Sequence, residues 1–348
     1  MSIMKKYTIK DIAQLAGVSK GTVDRVIHNR GNVAKDVEQK VKALLTEINY
    51  QPNLIARNLK NNKVFTVGVL IPDPSMDPYW AVCMDGINSA LAEFSAFDVR
   101  INTFLYDPTD TEDFLDRNEA LLQSEPDVIL MVPLFYKEAT SVLQHYQSLN
   151  IKVGTFNNQI TSSTASFIGQ DLYQSGRIAA KLLHSISSTG DMAIIHIDEK
   201  YKNAVHMQEK EKGFKSYYDD LKGSGNTILT CKVKYVETED KLRDFLNDHP
   251  KLEGIFVTNS KAFHVARLLE SENKTDIKLV GYDLLSDNVN YLNNGTIDFL
   301  IHQNPRQQAY LGLKYLIEHL VFDKQTPEQF LLPIDIINSE NVTPFLRP

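Results

Sequence analysis

The sequence predicts an α/β protein whose body is two lobes of doubly wound parallel sheet, preceded by a small all-α domain. Two observations predict the body. Short β-rich apolar runs alternate with longer helix-like segments from Val64 onward, and these runs outnumber what a single sheet holds comfortably. A third observation sets the head apart: residues 1–63 hold 12 Lys and Arg against 5 Asp and Glu, leaving 25 against 39 for residues 64–348. The net charge of −7 therefore hides a basic head, drawn to phosphate, on an acidic body that repels it. A chain of 348 residues, 43% of them hydrophobic, is expected to form two or three folding units.

Within the head, Thr8 is placed to cap a helix whose apolar positions Ile9, Ile12, Ala13 and Ala16 recur on one face until Gly17 interrupts it. Ser19 is a second cap, with Val18 as a hydrophobic staple, and Val23, Val26 and Ile27 form the inner face of a second short helix. Two short helices joined by a tight Gly-containing turn describe a helix-turn-helix, whose second helix enters a DNA major groove by its N-terminal end. Lys20, Gly21, Asp24, Arg25 and His28 then face outward. After HNRGN, a third helix is expected to begin near Ala34, with Val37, Val41, Leu44, Leu45 and Ile48 closing a three-helix core. Helical periodicity alone is equally compatible with any small bundle that has a basic face.

The stretch YTIKDIAQLAGVSKGTVDRVIHNRGNVAKDVEQKVKALLTEINYQPNLIARNLK resembles the headpiece of the lactose-repressor family, through DIA-x-x-AGVS, TV-x-RV, NY-x-PN and AR-x-L. The resemblance covers the whole head. It implies a headpiece over residues 1–49 and a hinge helix with linker over 50–63. Thr8, Ser19, Lys20, Gly21, Thr22, Arg25, His28 and Asn29 are then the contact set of the headpiece, and Asn53, Ala56, Arg57 and Leu59 that of the hinge. It further implies that two hinge helices form together on the operator, Ala56 allowing their close approach and Leu59 wedging into the minor groove to kink the duplex. About two turns of helix do not hold without a partner. Gly21 departs from a base-reading side chain and Asp24 from the commoner serine, so no operator preference carries over. Asp24 is read as ordering Arg25 or Lys20, with acceptance from cytosine N4 as the alternative.

In the body, FTVGVLI, VRINTFLY, VILMV, IKVGTF, MAIIHI, TILTCKV, GIFVT, IKLVGY and DFLIHQ read as strands, with helices such as Trp80–Phe97 and Thr111–Ser124 between them. The lactose-repressor family shares its body with type I periplasmic binding proteins. That resemblance implies one effector-binding domain over 64–348, its chain crossing between lobes three times, near Ser166, Ile297 and Phe322. Ligands in such sheets sit beyond the carboxyl ends of strands. Asp77, Tyr79 and Trp80, the lone Trp, follow the first strand and offer an acceptor and aromatic faces for a sugar ring, although aromatics at a helix start also serve as core. Asn157, Asn158, Gln170, Asp171, Asn259, Asp283 and Gln303 likewise follow strands, and Asn158 and Asp171 also fit as turn formers or caps.

The GYD and Q-x-P segments resemble places where family members present a ligand-binding Asp and a cleft-facing Gln, a pair suited to vicinal hydroxyls. A small polar effector, a sugar or sugar derivative, follows. Asn157 and Asn158 replace the Asp and Arg of many sugar binders, and Lys210, in KEKGF, replaces an Arg. Lys210 is left with two readings: a partner for an anionic effector, or a surface charge. A nucleobase is the alternative ligand.

No GxSxG, GxxxxGK[ST], HExxH or GxGxxG follows the first strand, so an α/β enzyme is not expected. Cys83 and Cys231 have no metal-ligand spacing, and neither cofactor nor metal is expected. The N-terminus MSIMKKYTIKDIAQLAG lacks an apolar run for export or membrane anchoring, which favours the cytoplasm over a solute-binding receptor. A homodimer on a palindromic double-stranded operator follows from the hinge, and the tail after Phe330 has no heptads to build a tetramer. Effector binding is expected to release DNA.

Overall fold

The computed structural model describes residues 7–27, 31–48, 50, 64–161, 164–197, 204–221, 225–234 and 238–346. The chain divides into two compact units, Met1–Asn61 and Asn62–Pro348.

The first unit holds α1 (Ile9–Ala16), α2 (Lys20–Ile27) and α3 (Lys35–Glu47). Thr8 and Asp11 cap α1 reciprocally, and Gly17 ends it in the left-handed region at φ 67°, where a side chain would be strained. The Ser19 hydroxyl accepts from the Thr22 amide at 3.1 Å and so caps α2. Ile12, Ala13, Ala16, Val23, Val26 and Val41 form the core, with Leu44, Leu45 and Ile48 packed at its edge. Each helix is too short to persist alone, so this shared core is what holds the trio.

The second unit contains two six-stranded sheets. The N-lobe sheet, in the order β11-β5-β4-β3-β1-β2, joins β1 (Phe65–Pro72), β2 (Val99–Tyr106), β3 (Val128–Met131), β4 (Lys152–Phe156), β5 (Ser166–Gly169) and β11 (Gln329–Leu331), all parallel. The C-lobe sheet, in the order β12-β10-β9-β8-β6-β7, joins β6 (Asp191–Ile197), β7 (Ile228–Val233), β8 (Leu252–Val257), β9 (Lys278–Tyr282) and β10 (Phe299–His302) in parallel. Its last strand, β12 (Asp335–Ile337), runs antiparallel to β10. Central strands such as β3 are buried along their whole length, which is why they read as unbroken apolar runs rather than alternating ones.

Helices cover these sheets: α4 (Tyr79–Glu93), α5 (Thr111–Gln123), α6 (Tyr136–Ser148), α7 (Leu172–Ile186), α8 (Val205–Asp220), α9 (Thr238–Asp248), α10 (Ala262–Ser271), α11 (Ser286–Asn293) and α12 (Pro305–Phe322). In the N-lobe, α12 packs on α4 and on the core of β1, β3 and β4. The approach is close enough that a Cβ on Gly86 would strike the Arg306 carbonyl. In the C-lobe α7 meets α8 in the same way, and a Cβ on Gly213 would strike the Tyr173 carbonyl. The glycine of KEKGF is therefore a packing requirement.

The strand assignments place the crossings between lobes after β5, after β10 and between β11 and β12. The first two lie just beyond Ser166 and Ile297. The third follows Leu331 and is not near Phe322: the apolar face of α12 continues through Val321 into the N-lobe core, and the chain first adds β11 to that sheet. The tail after Phe330, expected to carry no heptad repeat, completes β11 and forms β12, two three-residue edge strands separated by Pro333 and too short to show a period.

Candidate functional site

In the first unit, Lys20, Gly21 and Arg25 share the exposed face of α2, opposite buried Val23 and Val26. Thr8, Ser19 and Thr22 lie at helix starts and already have local partners: Thr8 caps α1, and the Ser19 and Thr22 hydroxyls are 2.9 Å apart. A phosphate oxygen needs an O–H donor: Thr8 gives its own to Asp11 at 2.7 Å, whereas the contact between Ser19 and Thr22 uses only one of their two hydroxyl hydrogens and leaves the other able to donate to phosphate. Gly21 is not demanded by packing, since a Cβ there would meet only the Ser19 hydroxyl at 3.7 Å. Its lack of a side chain is thus a feature of the exposed face. His28, Asn29, Asn53, Ala56, Arg57 and Leu59, and with them the expected hinge, lie outside the described residues.

In the second unit, the loops after β1, β4, β8, β9 and β10 converge between the lobes. Tyr79 opens α4, and its hydroxyl accepts from the Asn157 side chain at 2.6 Å. Asp77 accepts from the Tyr79 amide at 3.0 Å and faces Lys261 of the C-lobe at 3.7 Å. Asn158 reaches His206, also of the C-lobe, at 3.3 Å. Its other side-chain atom, Oδ1, is buried without a partner. An orphaned acceptor in such a place calls for a donor from outside the protein.

On the C-lobe side, Asp283 is 1% exposed and accepts from the backbone and the side chain of Gln303, at 2.9 and 2.6 Å. Burial pushes its carboxyl up to about 6, against the lowering effect of those bonds and of Lys210. Asn157 and Asp283 end β4 and β9 in the left-handed region, at φ 68° and 64°, which Asn and Asp tolerate best among residues with a side chain.

Lys210 is neither a surface charge nor an outward-facing cation. It is 1% exposed, its Nζ donating to the Thr258 carbonyl at 2.9 Å and to Gln303 Oε1 at 3.2 Å, and lying 3.7 Å from the centre of the Tyr282 ring. The apolar stem of lysine lets its head reach these groups from within α8.

Several expected residues have local duties. Asn259 spends its amide on the Ile197 carbonyl and the Lys261 backbone, at 2.8 and 3.2 Å. Asp171 caps α7 by accepting from Gln174 at 2.8 Å. Trp80, 5% exposed, belongs to the N-lobe core with its ring edge-on to Tyr79, so the ring it was expected to offer is packed against apolar neighbours. A cavity of about 540 Å³ shares Tyr79 and Asp283 with the site, but Asn158, Lys210 and Asn259 do not line it.

Gln170 donates to the carbonyls of His302 and Pro333, at 3.0 and 2.6 Å, and so ties together all three crossings. His206, Lys261 and Gln308 also belong to this region. Lys261 lies only four places beyond β8 and was within reach of the strand-end rule; His206 and Gln308 sit inside helices and carry no such signal.

Among the described residues, no group of His, Cys, Asp and Glu is arranged to hold a metal ion, and no helix is long and apolar enough to cross a membrane.

Residues 67–324 match the periplasmic binding protein domain family. Residues 8–53 match the bacterial regulatory proteins of the lacI family. The ribose operon repressor of Halalkalibacterium halodurans is 26% identical over 284 residues, which cover 79% of this chain and 80% of that protein. The sucrose operon repressor of Streptococcus mutans is 23% identical over 338 residues, 96% of this chain and 99% of that protein. A crystal structure described as that of a LacI transcriptional regulator from Bacteroides fragilis aligns with a TM-score of 0.76 at 29% identity, over 80% of this chain and 99% of that one.

Proposed function

Since this chain belongs to the periplasmic binding protein domain family and carries a head of the lacI family of bacterial regulatory proteins, we propose that it is a DNA-binding repressor of sugar metabolism whose effector is a neutral sugar bound between the lobes. The observation that carries the reading is the charge balance of the interlobe site. Among the described residues its two lysines are engaged: Lys210 with Thr258, Gln303 and the Tyr282 ring, and Lys261 with Asp77. An anionic ligand would have to take one of them from its partners and would meet the carboxylates of Asp77 and Asp283. Asn158 Oδ1 is buried without a partner, and this acceptor, with the carboxylates of Asp77 and Asp283 beside it, suits the hydroxyl donors of a sugar. The relatives named for the ribose and sucrose operons point to the same class.

The head acts as a homodimer on a palindromic operator, with Lys20 and Arg25 on phosphates and base edges. Sugar binding favours one arrangement of the lobes, and reciprocity then requires a change in operator affinity, here release. The work is done in the cytoplasm and involves no catalysis.

The test is the melting temperature of the full-length protein with D-ribose, sucrose, hexoses, sugar acids, sugar phosphates and nucleobases, because a ligand of the native state raises it by mass action. A rise with a neutral sugar, followed by weaker operator binding in its presence, is expected. A rise confined to the charged sugars or to nucleobases overturns the reading.

A further inference from the structure

Gln308 lies near the start of α12, an N-lobe helix, and is 1% exposed. Its side chain spans two backbone groups from different parts of the fold. Oε1 accepts from the Asn157 amide at the end of β4, at 2.9 Å, and Nε2 donates to the Gln303 carbonyl at the second crossing, at 2.7 Å. The amide has one workable orientation: turned over, it would set donor against donor at Asn157 and acceptor against acceptor at Gln303. The Asn157 amide also approaches the Ile168 carbonyl at 3.2 Å, so Gln308 supplies the shorter of its two bonds.

Both partners lead into the effector site. Asn157 holds the Tyr79 hydroxyl, while Gln303 holds both oxygens of Asp283 and accepts from Lys210. An unbroken series of hydrogen bonds therefore runs from Tyr79 in the N-lobe through Asn157, Gln308 and Gln303 to Asp283 and Lys210 in the C-lobe. The contacts Asp77 to Lys261 and Asn158 to His206 bridge the open side of the cleft at 3.7 and 3.3 Å. The Gln308 bonds instead pass through the crossing itself, and both are shorter.

We propose that Gln308 is a positioning residue that sets the N-lobe half of the effector site in register with the C-lobe half through the second crossing. It touches no ligand and acts through Asn157 and Gln303. The inference rests on reading the cleft as the effector site. A polar side chain buried this deeply within a helix, with both ends of its amide used, is costly unless each bond is made. Pure packing would be met as well by an apolar residue of similar length.

The experiment compares amide hydrogen exchange in the full-length wild-type protein, Gln308→Leu and Gln308→Glu, without ligand at pH 7.5. Glutamate keeps the shape and the acceptor for Asn157 but turns a second acceptor on the Gln303 carbonyl, so it breaks the crossing side alone. Loss of a buried hydrogen bond corresponds to about tenfold faster local exchange. That increase is expected in Gln308→Leu at residues 156–158 and, across the crossing, at 283–284. In Gln308→Glu it is expected at 283–284 with the fold retained. Exchange in Gln308→Glu equal to wild type, or an increase in either variant limited to 156–158, overturns the proposal. If Gln308→Leu fails to fold, the isosteric variant decides. A parallel titration with D-ribose, or with whichever neutral sugar raises the wild-type melting temperature, should show roughly tenfold weaker binding in Gln308→Glu. A wild-type protein that answers to no sugar tells against the effector reading alone, since the exchange comparison needs no ligand.

Discussion

The Asp283 carboxylate accepts two hydrogen bonds from one residue, Gln303, through the backbone amide at 2.9 Å and the side-chain amide at 2.6 Å. The end of β9 is thereby fixed to the second crossing between the lobes. Asp283→Ala leaves both Gln303 donors without their acceptor in a buried place, at a cost of about 1–3 kcal/mol for each. The expected outcome is a repressor that binds its operator but no longer responds to sugar, measured by operator titration with and without the ligand. Retained response would move the site away from Asp283.

Proton uptake by the same residue gives a second expectation. With its carboxyl pushed to about 6 by burial, Asp283 becomes protonated as the pH falls through that value and loses acceptor capacity. Sugar affinity should therefore decline from pH 7 to pH 5, and Asp283→Asn should flatten the profile. A wild-type affinity constant over this range would contradict it.

Fold stability should behave differently, because two groups act with opposite sign. The raised pKa of Asp283 contributes stability that is present below its ordinary value of 3.8 and lost as the pH climbs through about 6. His302, 3.8 Å away, is lowered by burial from 6.5 to about 4, so its contribution is lost as the pH falls through that window. At neutral pH this imidazole is uncharged, and the pair is no ion pair. Wild-type melting temperature should change little between pH 6.5 and 4 on account of these two groups. Asp283→Asn leaves His302 unopposed, and its melting temperature should drop steeply with acid over the same range.

Much of the site was legible because its polar residues interrupt apolar runs at strand ends. Asp283 and Gln303 follow IKLVGY and DFLIH, and the structure brings them into contact. Position in the sequence cannot say which way a side chain turns, however. Trp80 and Lys210 show this: the aromatic that read as either a ligand platform or core packs into a core, and the lysine that read as either a partner for an anionic effector or a surface charge is buried against a ring. Gln308 and His206 were invisible for a different reason. Helical periodicity marks which face is buried, but a polar residue on that face is explained only by partners far away in the chain, 151 places away for Gln308 and Asn157. The third crossing was misplaced because a three-residue strand carries too few positions for any alternation to register.

For the head, Arg25 is exposed on α2, so its replacement should leave the fold intact. Arg25→Ala is expected to weaken operator binding and to reduce the slope of log affinity against log salt by about 1 if it contacts phosphate. Loss of discrimination between operator variants without a change of slope would instead indicate a base contact. Unchanged affinity at fixed salt would remove Arg25 from the interface.

Two glycines test whether helix placement governs the site from each lobe. A Cβ on Gly86 would strike the Arg306 carbonyl, at the start of the helix that carries Gln308, and a Cβ on Gly176 would strike the carbonyl of Lys210. In both cases the obstacle is backbone, which cannot rotate aside, so the helix itself must shift. Overpacking of this kind typically costs about 1–3 kcal/mol. Gly86→Ala should lower stability and also sugar affinity, because displacing the start of α12 disturbs both Gln308 and the crossing at Gln303. Gly176→Ala should do the same from the C-lobe by moving Lys210 away from Gln303 and Tyr282. Urea unfolding and sugar titration of each variant separate the two effects. Full sugar affinity in a variant that has lost stability would mean that the site tolerates helix displacement and that its geometry is set by the strand ends alone.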